Sequence, residues 1–259
     1  MQILRGKGQG GEWQVGLLSV RSPARKESPV PHPESERFTI DGALIEVPAS
    51  ALVPRLRGRL QDGGYEGHER ALLRAHLRLG DRVLDLGAGA GMVSITAARI
   101  VGAGNVTSVE ANPEMLRPLK RNLRRNIGAE GSVLHMAVVA DGDKRDSVDL
   151  HVSPGFWSAS TLPGRAKGAA ASYAVKARPL GKLIRRAQAN VLAMDVEGAE
   201  QQLLATPLPE QVRLLVIELH PALYGGAARD AILADLAGQG FRDVGGGRTE
   251  EVHAMRRGD

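Results

Sequence analysis

The chain has 259 residues, 42% hydrophobic and 24% charged, with a formal net charge of +5 and a pI of about 9.8. That is enough apolar length for one full α/β core, and the lack of any cysteine excludes disulfide scaffolds, thiolate metal sites and cysteine nucleophiles together. Met1 to Trp13 is polar and glycine-rich, and no apolar run approaches the roughly 20 residues of a membrane span, so a soluble, cytoplasmic protein is expected.

Residues 1–36 are rich in Gly, Ser, Pro and charge, which predicts a loosely structured extension. Residues 37–64 read as a hairpin and a helix, together a substrate-side cap, and residues 65–259 as the main domain. Within the cap, Phe38 to Val47 holds two apolar runs around Asp41-Gly42, a strong hairpin signal. A helix is expected from Ser50 to Leu60. Leu72, Leu73 and Leu77 then line a helix ending at Gly80-Asp81. Val83 to Leu86 reads as a buried strand, Met92 to Val101 as a helix and Val106 to Val109 as a strand. Leu116, Leu119, Leu123 and Ile127 repeat at helical spacing. Further strands are expected over Val133–Val139, Val148–Val152, Tyr173–Ala177, Val191–Met194 and Val212–Leu219, with a closing pair near Phe241 and Val252. Strands alternating with helices imply right-handed crossovers and a doubly wound, mostly parallel sheet.

The most informative stretch is Val83-Leu-Asp-Leu-Gly-Ala-Gly-Ala-Gly-Met92. A buried strand runs into three alternate glycines and a helix begins at once, so the backbone can approach a ligand closely beside free helix N–H groups. A dinucleotide fingerprint would need glycine where Met92 stands, and no Gly-Lys-Ser/Thr follows to make a phosphate loop. Asp85, just ahead of the first glycine, would repel a pyrophosphate but can orient a ligand carrying an ammonium group. S-adenosylmethionine carries an ammonium, a sulfonium and no phosphate. Glu110 ends the second strand at the distance where an acidic side chain meets ribose hydroxyls. Its place at a strand's exposed end would let it be replaced without loss of the fold.

Two acidic constellations follow. Val191-Leu-Ala-Met-Asp-Val-Glu-Gly-Ala-Glu200 delivers Asp195 and Glu197 to the carboxyl end of a strand, facing the crevice of the glycine loop. Val212 to Pro221 repeats the geometry one strand over and ends in Glu218 and His220. The alternative for these acids is a helix cap with dipole-favoured charges.

With this box in view, the sequence resembles the FkbM family of methyltransferases. The matching elements are Gly64-Tyr-Glu66 with Glu69, Gly80 to Gly91, Val109-Glu-Ala-Asn-Pro113, Asn122-Leu-Arg-Arg-Asn126, Asp195-Val-Glu-Gly-Ala-Glu200 and Ile217-Glu-Leu-His-Pro221. The resemblance implies a class I, Rossmann-like fold of seven strands with the last antiparallel, the hairpin being an N-terminal extension. It implies S-adenosylmethionine held by Asp85, Gly87, Gly89, Gly91 and Glu110, with Asn112 alongside and Tyr65 and Glu66 covering it. It also implies O-methylation of a small-molecule hydroxyl on a sugar, polyketide or other specialised metabolite; homodimerisation is left open. Leu86-Gly-Ala-Gly departs from the family's commoner Ile-Gly-Ala-Asn.

A hydroxyl acceptor must lose its proton, so a nearby base helps. Asp195, Glu197 and His220 are the catalytic candidates, with His220 the natural choice near pH 7. Asp195 and Glu197 could instead hold a hard divalent cation; with Glu218 left aside, two carboxylates are few for that, and the metal-free route is preferred. The alternatives are N-methylation of a small molecule, methylation of RNA, and a binding module without turnover. The basic stripe Arg117, Lys120, Arg121 and Arg124 reads as a solvated helix face, and no aromatic residues interleave with it as stacking platforms. No specific nucleic-acid partner is therefore expected.

Overall fold

The computed structural model describes residues 35–128, 131–152, 171–245 and 251–258. The expected loose extension therefore lies almost wholly outside the described residues. Strands β1 (Ser35–Ile40) and β2 (Ala43–Pro48) form the expected hairpin. Its two turn residues, Asp41 and Gly42, both have positive φ, the geometry that matches the twist of the flanking strands. Helix α1 (Pro54–Gln61) starts later than expected, behind a single 3-10 turn, because Pro54 fits the first position of a helix and not its interior.

The main sheet is built from β3 (Val83–Leu86), β4 (Val106–Glu110), β5 (Ser132–His135), β9 (Val191–Met194), β10 (Leu214–Glu218), β11 (Phe241–Asp243) and β12 (Val252–Arg257). Its spatial order is β11-β12-β10-β9-β3-β4-β5. The pairs β3–β4, β3–β9, β4–β5 and β9–β10 are parallel, and β12 runs antiparallel to both its neighbours. This is the class I methyltransferase sheet, Rossmann-like and mostly parallel, with β3 at the point where strand order reverses.

Both faces of the sheet are covered, so its central strands read as nearly continuous apolar runs. Val83, Val191, Ala193, Leu214 and Val216 meet α2 (Gly67–His76) and α3 (Met92–Val101) on one face. Leu84, Leu86, Leu192, Met194, Leu215 and Ile217 meet α5 (Leu180–Ala187), α6 (Glu200–Leu203) and α8 (Gly226–Gly238) on the other. The alternation fixes where Asp85 points: with Val83, it faces α3.

The strand expected over Val133–Val139 is two strands in two sheets. β5 ends at His135, Met136 donates its N–H to the Glu110 carbonyl at 3.2 Å, and β6 (Ala137–Val139) turns away. There β6 pairs in parallel with β8 (Ala171–Pro179), which pairs antiparallel with β7 (Ser147–Val152). β4 ends at Glu110 and offers nothing further to pair with, so the chain finds a new partner. β7 and β8 were thus expected as strands, but they belong to this second sheet.

Helix α4 (Pro113–Ile127) ties the hairpin down. It buries Met115, Leu119 and Leu123, and at its C-terminal end Gly128 takes a left-handed conformation. Asn122 and Asn126, one turn apart, bond the edge of β2 that β1 leaves free. Asn122 accepts from Glu46 N at 2.8 Å and donates to the Glu46 and Ala90 carbonyls at 2.9 and 3.0 Å. Asn126 treats Leu44 likewise, at 2.9 and 3.0 Å. The Glu46 carboxylate takes Arg121 and Arg125 at 2.9 and 3.1 Å, so part of the basic stripe is engaged in holding the hairpin. No helix among the described residues is long and apolar enough to cross a membrane.

Candidate active site

A cleft of about 450 Å³ opens at the carboxyl ends of β3, β4, β9 and β10, with the second sheet as its side wall. Tyr65, Glu66, Gly87, Gly89, Glu110, Asp195, Glu197 and His220 all line it. Asp85, Gly91 and Asn112 stand behind its wall.

Gly87 and Gly89 both have positive φ. A Cβ on Gly87 would fall 1.8 Å from the Asp195 carbonyl oxygen, so the glycine loop and the acidic box touch backbone to backbone. A Cβ on Gly89 would lie 3.1 Å from the Tyr65 hydroxyl. Gly91 instead caps α3, where a Cβ would press on Leu119 at 2.8 Å.

Glu110 is 7% exposed, so the expectation of an exposed strand end is corrected. Its Oε2 accepts from Gly89 N at 2.7 Å and its Oε1 from Asn112 N at 2.6 Å. One carboxylate thus holds the glycine loop and the start of α4 together. Burial raises its pKa against these backbone N–H donors, and each oxygen keeps acceptor capacity toward the cleft. Asn112 caps α4 by accepting from Glu114 N at 3.0 Å, and its buried side-chain amide nitrogen has no partner among the described residues.

Asp85 accepts from the Ser94 hydroxyl at 2.5 Å, and Ser94 contacts Ser108 at 2.6 Å. Burial pushes its carboxyl up to about 7, the Ser94 bond opposing and the Glu110 charge assisting. The expected free N-terminus of α3 is also taken, since Glu66 Oε2 accepts from Val93 N at 3.1 Å. A carboxylate there complements the helix dipole and leaves less room for a phosphate.

Glu66 adopts a left-handed backbone, φ 49°, which costs a non-glycine residue of order 1 kcal/mol or more. Arg70 sustains it. This buried arginine, which sequence reasoning missed, donates to the carbonyls of Gly63, Tyr65 and Glu66 at 2.6, 3.0 and 3.1 Å and also pairs with Asp41. The turn carrying Tyr65 and Glu66 is thereby held over the glycine loop. Burial, then the neighbouring Glu66, raises the Tyr65 hydroxyl; burial, then Asp85, raises Glu66.

The far end of the cleft is acidic. Asp195 and Glu197 from the box meet Glu218 and His220 from the next strand, with Glu69 of α2 also in the wall. His220 Nδ1 lies 2.9 Å from Glu200 Oε1, and its Nε2 lies 3.6 Å from Asp195 Oδ1 and 3.7 Å from Glu197 Oε2. Burial alone would lower the His220 pKa; the Glu200 hydrogen bond and the charges of Asp195, Glu200 and Glu197 outweigh it and raise it. The surrounding carboxylates thus favour the protonated ring over the neutral base expected from the sequence. Burial, then Glu197, raises Asp195, and burial, then Asp195 and Glu69, raises Glu218. Glu218, left aside on sequence grounds, stands in the cleft, and its signal was the strand end it shares with His220.

The group that fits this cleft is cationic along one side and bears hydroxyls on the other. S-adenosylmethionine meets both demands: its ammonium and sulfonium suit the acids, and its ribose suits Glu110. Residues 64–152, roughly a third of the chain, match the family model of the TRM5/TYW2 methyltransferase domain. No curated protein matches the chain. Among solved structures, precorrin-6y C5,15-methyltransferase of Geobacter metallireducens shares 13% identity over 76% of this chain and 89% of its own, with a TM-score of 0.41. TYW2 of M. jannaschii in complex with AdoMet shares 12% over 85% and 83%, with a TM-score of 0.39. The tRNA (uracil-54, C5)-methyltransferase of Pyrococcus abyssi, bound to S-adenosyl-L-homocysteine, shares 14% over 86% and 44%, with a TM-score of 0.46. This chain thus spans less than half of the last protein.

The family match corrects two expectations. The resemblance to the FkbM family is not upheld, since the matching model is that of TRM5/TYW2 and stops before the Asp195–Glu200 box. The glycine loop and Glu110 lie inside the match. The expectation of a small-molecule acceptor with no specific nucleic acid falls with the resemblance that implied it, since the family model matched is that of TRM5/TYW2. Sheet order, cleft and family match agree on the broader conclusion: the chain is a class I methyltransferase that uses S-adenosylmethionine.

Proposed function

We propose that this enzyme methylates RNA, with a structured RNA of the tRNA type as acceptor. The observation that carries the reading is the TRM5/TYW2 match over residues 64–152. The charge layout supports it. Arg55 and Arg59 of α1 line the cleft, and Arg117, Lys120, Arg121 and Arg124 border a depression on the outer face of α4. Cations placed outside a deep acidic pocket suit a polyanion whose phosphates stay outside while one nucleotide enters. On this reading residues 37–64 contribute the basic rim, and the box at the cleft's far end meets a base and not a phosphate.

When bound, S-adenosylmethionine supplies a methyl group on a positively charged sulfur for in-line transfer to a nucleophile. The chain's part is to align the two partners, which can itself contribute several kcal/mol. In this assignment Glu110 receives the ribose hydroxyls, Gly87 and Gly89 give the backbone clearance, and Tyr65 and Glu66 close the cofactor in. Asp85, Gly91 and Asn112 support the loop from behind. With the surrounding carboxylates favouring a protonated His220, Asp195 and Glu197 are the groups assigned to take a proton from the acceptor.

The test is transfer of labelled methyl from S-adenosylmethionine to unmodified tRNA transcripts. Label should enter the RNA, and Arg55→Glu should cut transfer at least tenfold while leaving S-adenosylhomocysteine affinity unchanged. Failure to label any tRNA or ribosomal RNA transcript, with S-adenosylhomocysteine still bound, would refute the assignment of acceptor.

A further inference from the structure

The acidic end of the cleft holds more charge than a proton relay requires. Asp195, Glu218 and His220 each offer one ligand atom, and these atoms all lie within 4.8 Å of one another. Two ligand atoms 3.6 Å apart, the separation of His220 Nε2 and Asp195 Oδ1, subtend about 110° at an ion roughly 2.2 Å from each. Glu197 Oε2 lies 3.7 Å from the same nitrogen, beside such a shell.

Two further observations point to an ion. Asp195 Oδ1, a buried atom on a side chain that is 36% exposed, has no hydrogen-bond partner among the described residues, although it faces the cluster. Glu200, fully buried, reaches His220 Nδ1 at 2.9 Å. A carboxylate on the far nitrogen is the usual way to fix the tautomer and aim the near one at a metal. Glu200 is itself braced by Gly198 N at 3.1 Å. The last acid of the box thus faces inward and orients the ring, while the first two line the cleft.

We propose that Asp195, Glu218 and His220, with Glu197 adjacent and Glu200 orienting the imidazole, form a binding site for a divalent cation of the Mn²⁺ type. Carboxylates alone would suit Mg²⁺ or Ca²⁺, and imidazole suits later transition metals; a mixed oxygen–nitrogen set lies between them. With Asp195 committed to the ion, Glu197 remains as the proton acceptor. The site is independent of the acceptor's identity.

The test uses the chelator-treated full chain without RNA or S-adenosylmethionine, titrated with Mn²⁺ and followed by the loss of the free-ion electron paramagnetic resonance signal. One Mn²⁺ per chain is expected. Glu218→Gln and His220→Asn should each weaken binding at least tenfold, and Glu200→Gln should weaken it 10- to 100-fold without touching the ion. No binding by the unsubstituted chain up to millimolar Mn²⁺ would overturn the proposal and leave the acids matched to the cofactor's own positive charges. Binding that persists unchanged in folded Glu218→Gln would place the ion elsewhere and overturn it equally. Neither result bears on RNA methylation, which is measured separately.

Discussion

Replacing Glu110 with alanine should weaken both the cofactor site and the fold around it. The carboxylate makes two charge-assisted bonds to backbone N–H groups, at 2.6 and 2.7 Å, and each such bond contributes about 1.5–3 kcal/mol. The cost of burying the charge, visible in its raised pKa, offsets part of this and leaves about 2 kcal/mol net. For a chain of this size that is a fall in apo Tm of about 4–8 °C. Loss of the ribose bonds should add about 1–3 kcal/mol to the binding free energy, or roughly 5- to 150-fold in affinity. Glu110→Gln keeps one acceptor but sets an amide N–H against a backbone N–H, so it should fall between alanine and the unsubstituted chain. Thermal melting of the apo protein and calorimetry with S-adenosylhomocysteine measure the two effects separately. A Glu110→Ala protein with apo Tm within about 1 °C and affinity within about twofold would refute the reasoning for both roles.

Asp85→Asn should change stability with pH in a defined direction. The folded pKa of about 7 lies above the unfolded value of 3.8, so the native chain loses stability as pH rises across that interval, by up to about 4 kcal/mol from this group. The asparagine variant should therefore melt higher than the unsubstituted chain at pH 8 and show no advantage at pH 4; the reverse order would put the carboxyl in a different environment. Asn122→Ala should cost about 3–5 kcal/mol, because it strands the Glu46 N–H and two carbonyls in a buried place, and denaturant unfolding should show it. Glu197→Gln should lower turnover by about 10²–10⁴ with S-adenosylhomocysteine affinity unchanged, and single-turnover kinetics at unaltered rate would remove it as proton acceptor.

The elements carried by local chemistry were legible in the sequence. Asp41-Gly42 announced the hairpin because its two left-handed conformations suit few other dipeptides, and the glycine loop announced a close backbone approach that Gly87 makes against Asp195. Helix α3 was placed to the residue. What stayed hidden depends on partners far away in the chain. No local signal says that Arg70 is buried under Asp41, that Asp85 points at Ser94, or that Glu200 turns inward to hold His220. His220 looked like a neutral base because no local signal shows that all three acids of the box, Asp195, Glu197 and Glu200, converge on its ring. The family was misread for a related reason: motifs that serve the cofactor recur wherever that cofactor is used, and they carry little information about the acceptor.

The passage from β5 to β6 through Met136 has a consequence for the wall of the cleft. On one side of that residue the chain belongs to the sheet that carries Glu110 and the glycine loop. On the other, Ala137 and Val138 belong to the smaller sheet that walls the cleft. Because side chains alternate along a strand, a one-residue insertion or deletion there would exchange which faces of β6 look into the cleft while leaving β5 in register. Small changes of length at this junction would thus remodel the side wall of the cleft while leaving the strands that carry the glycine loop and Glu110 in place.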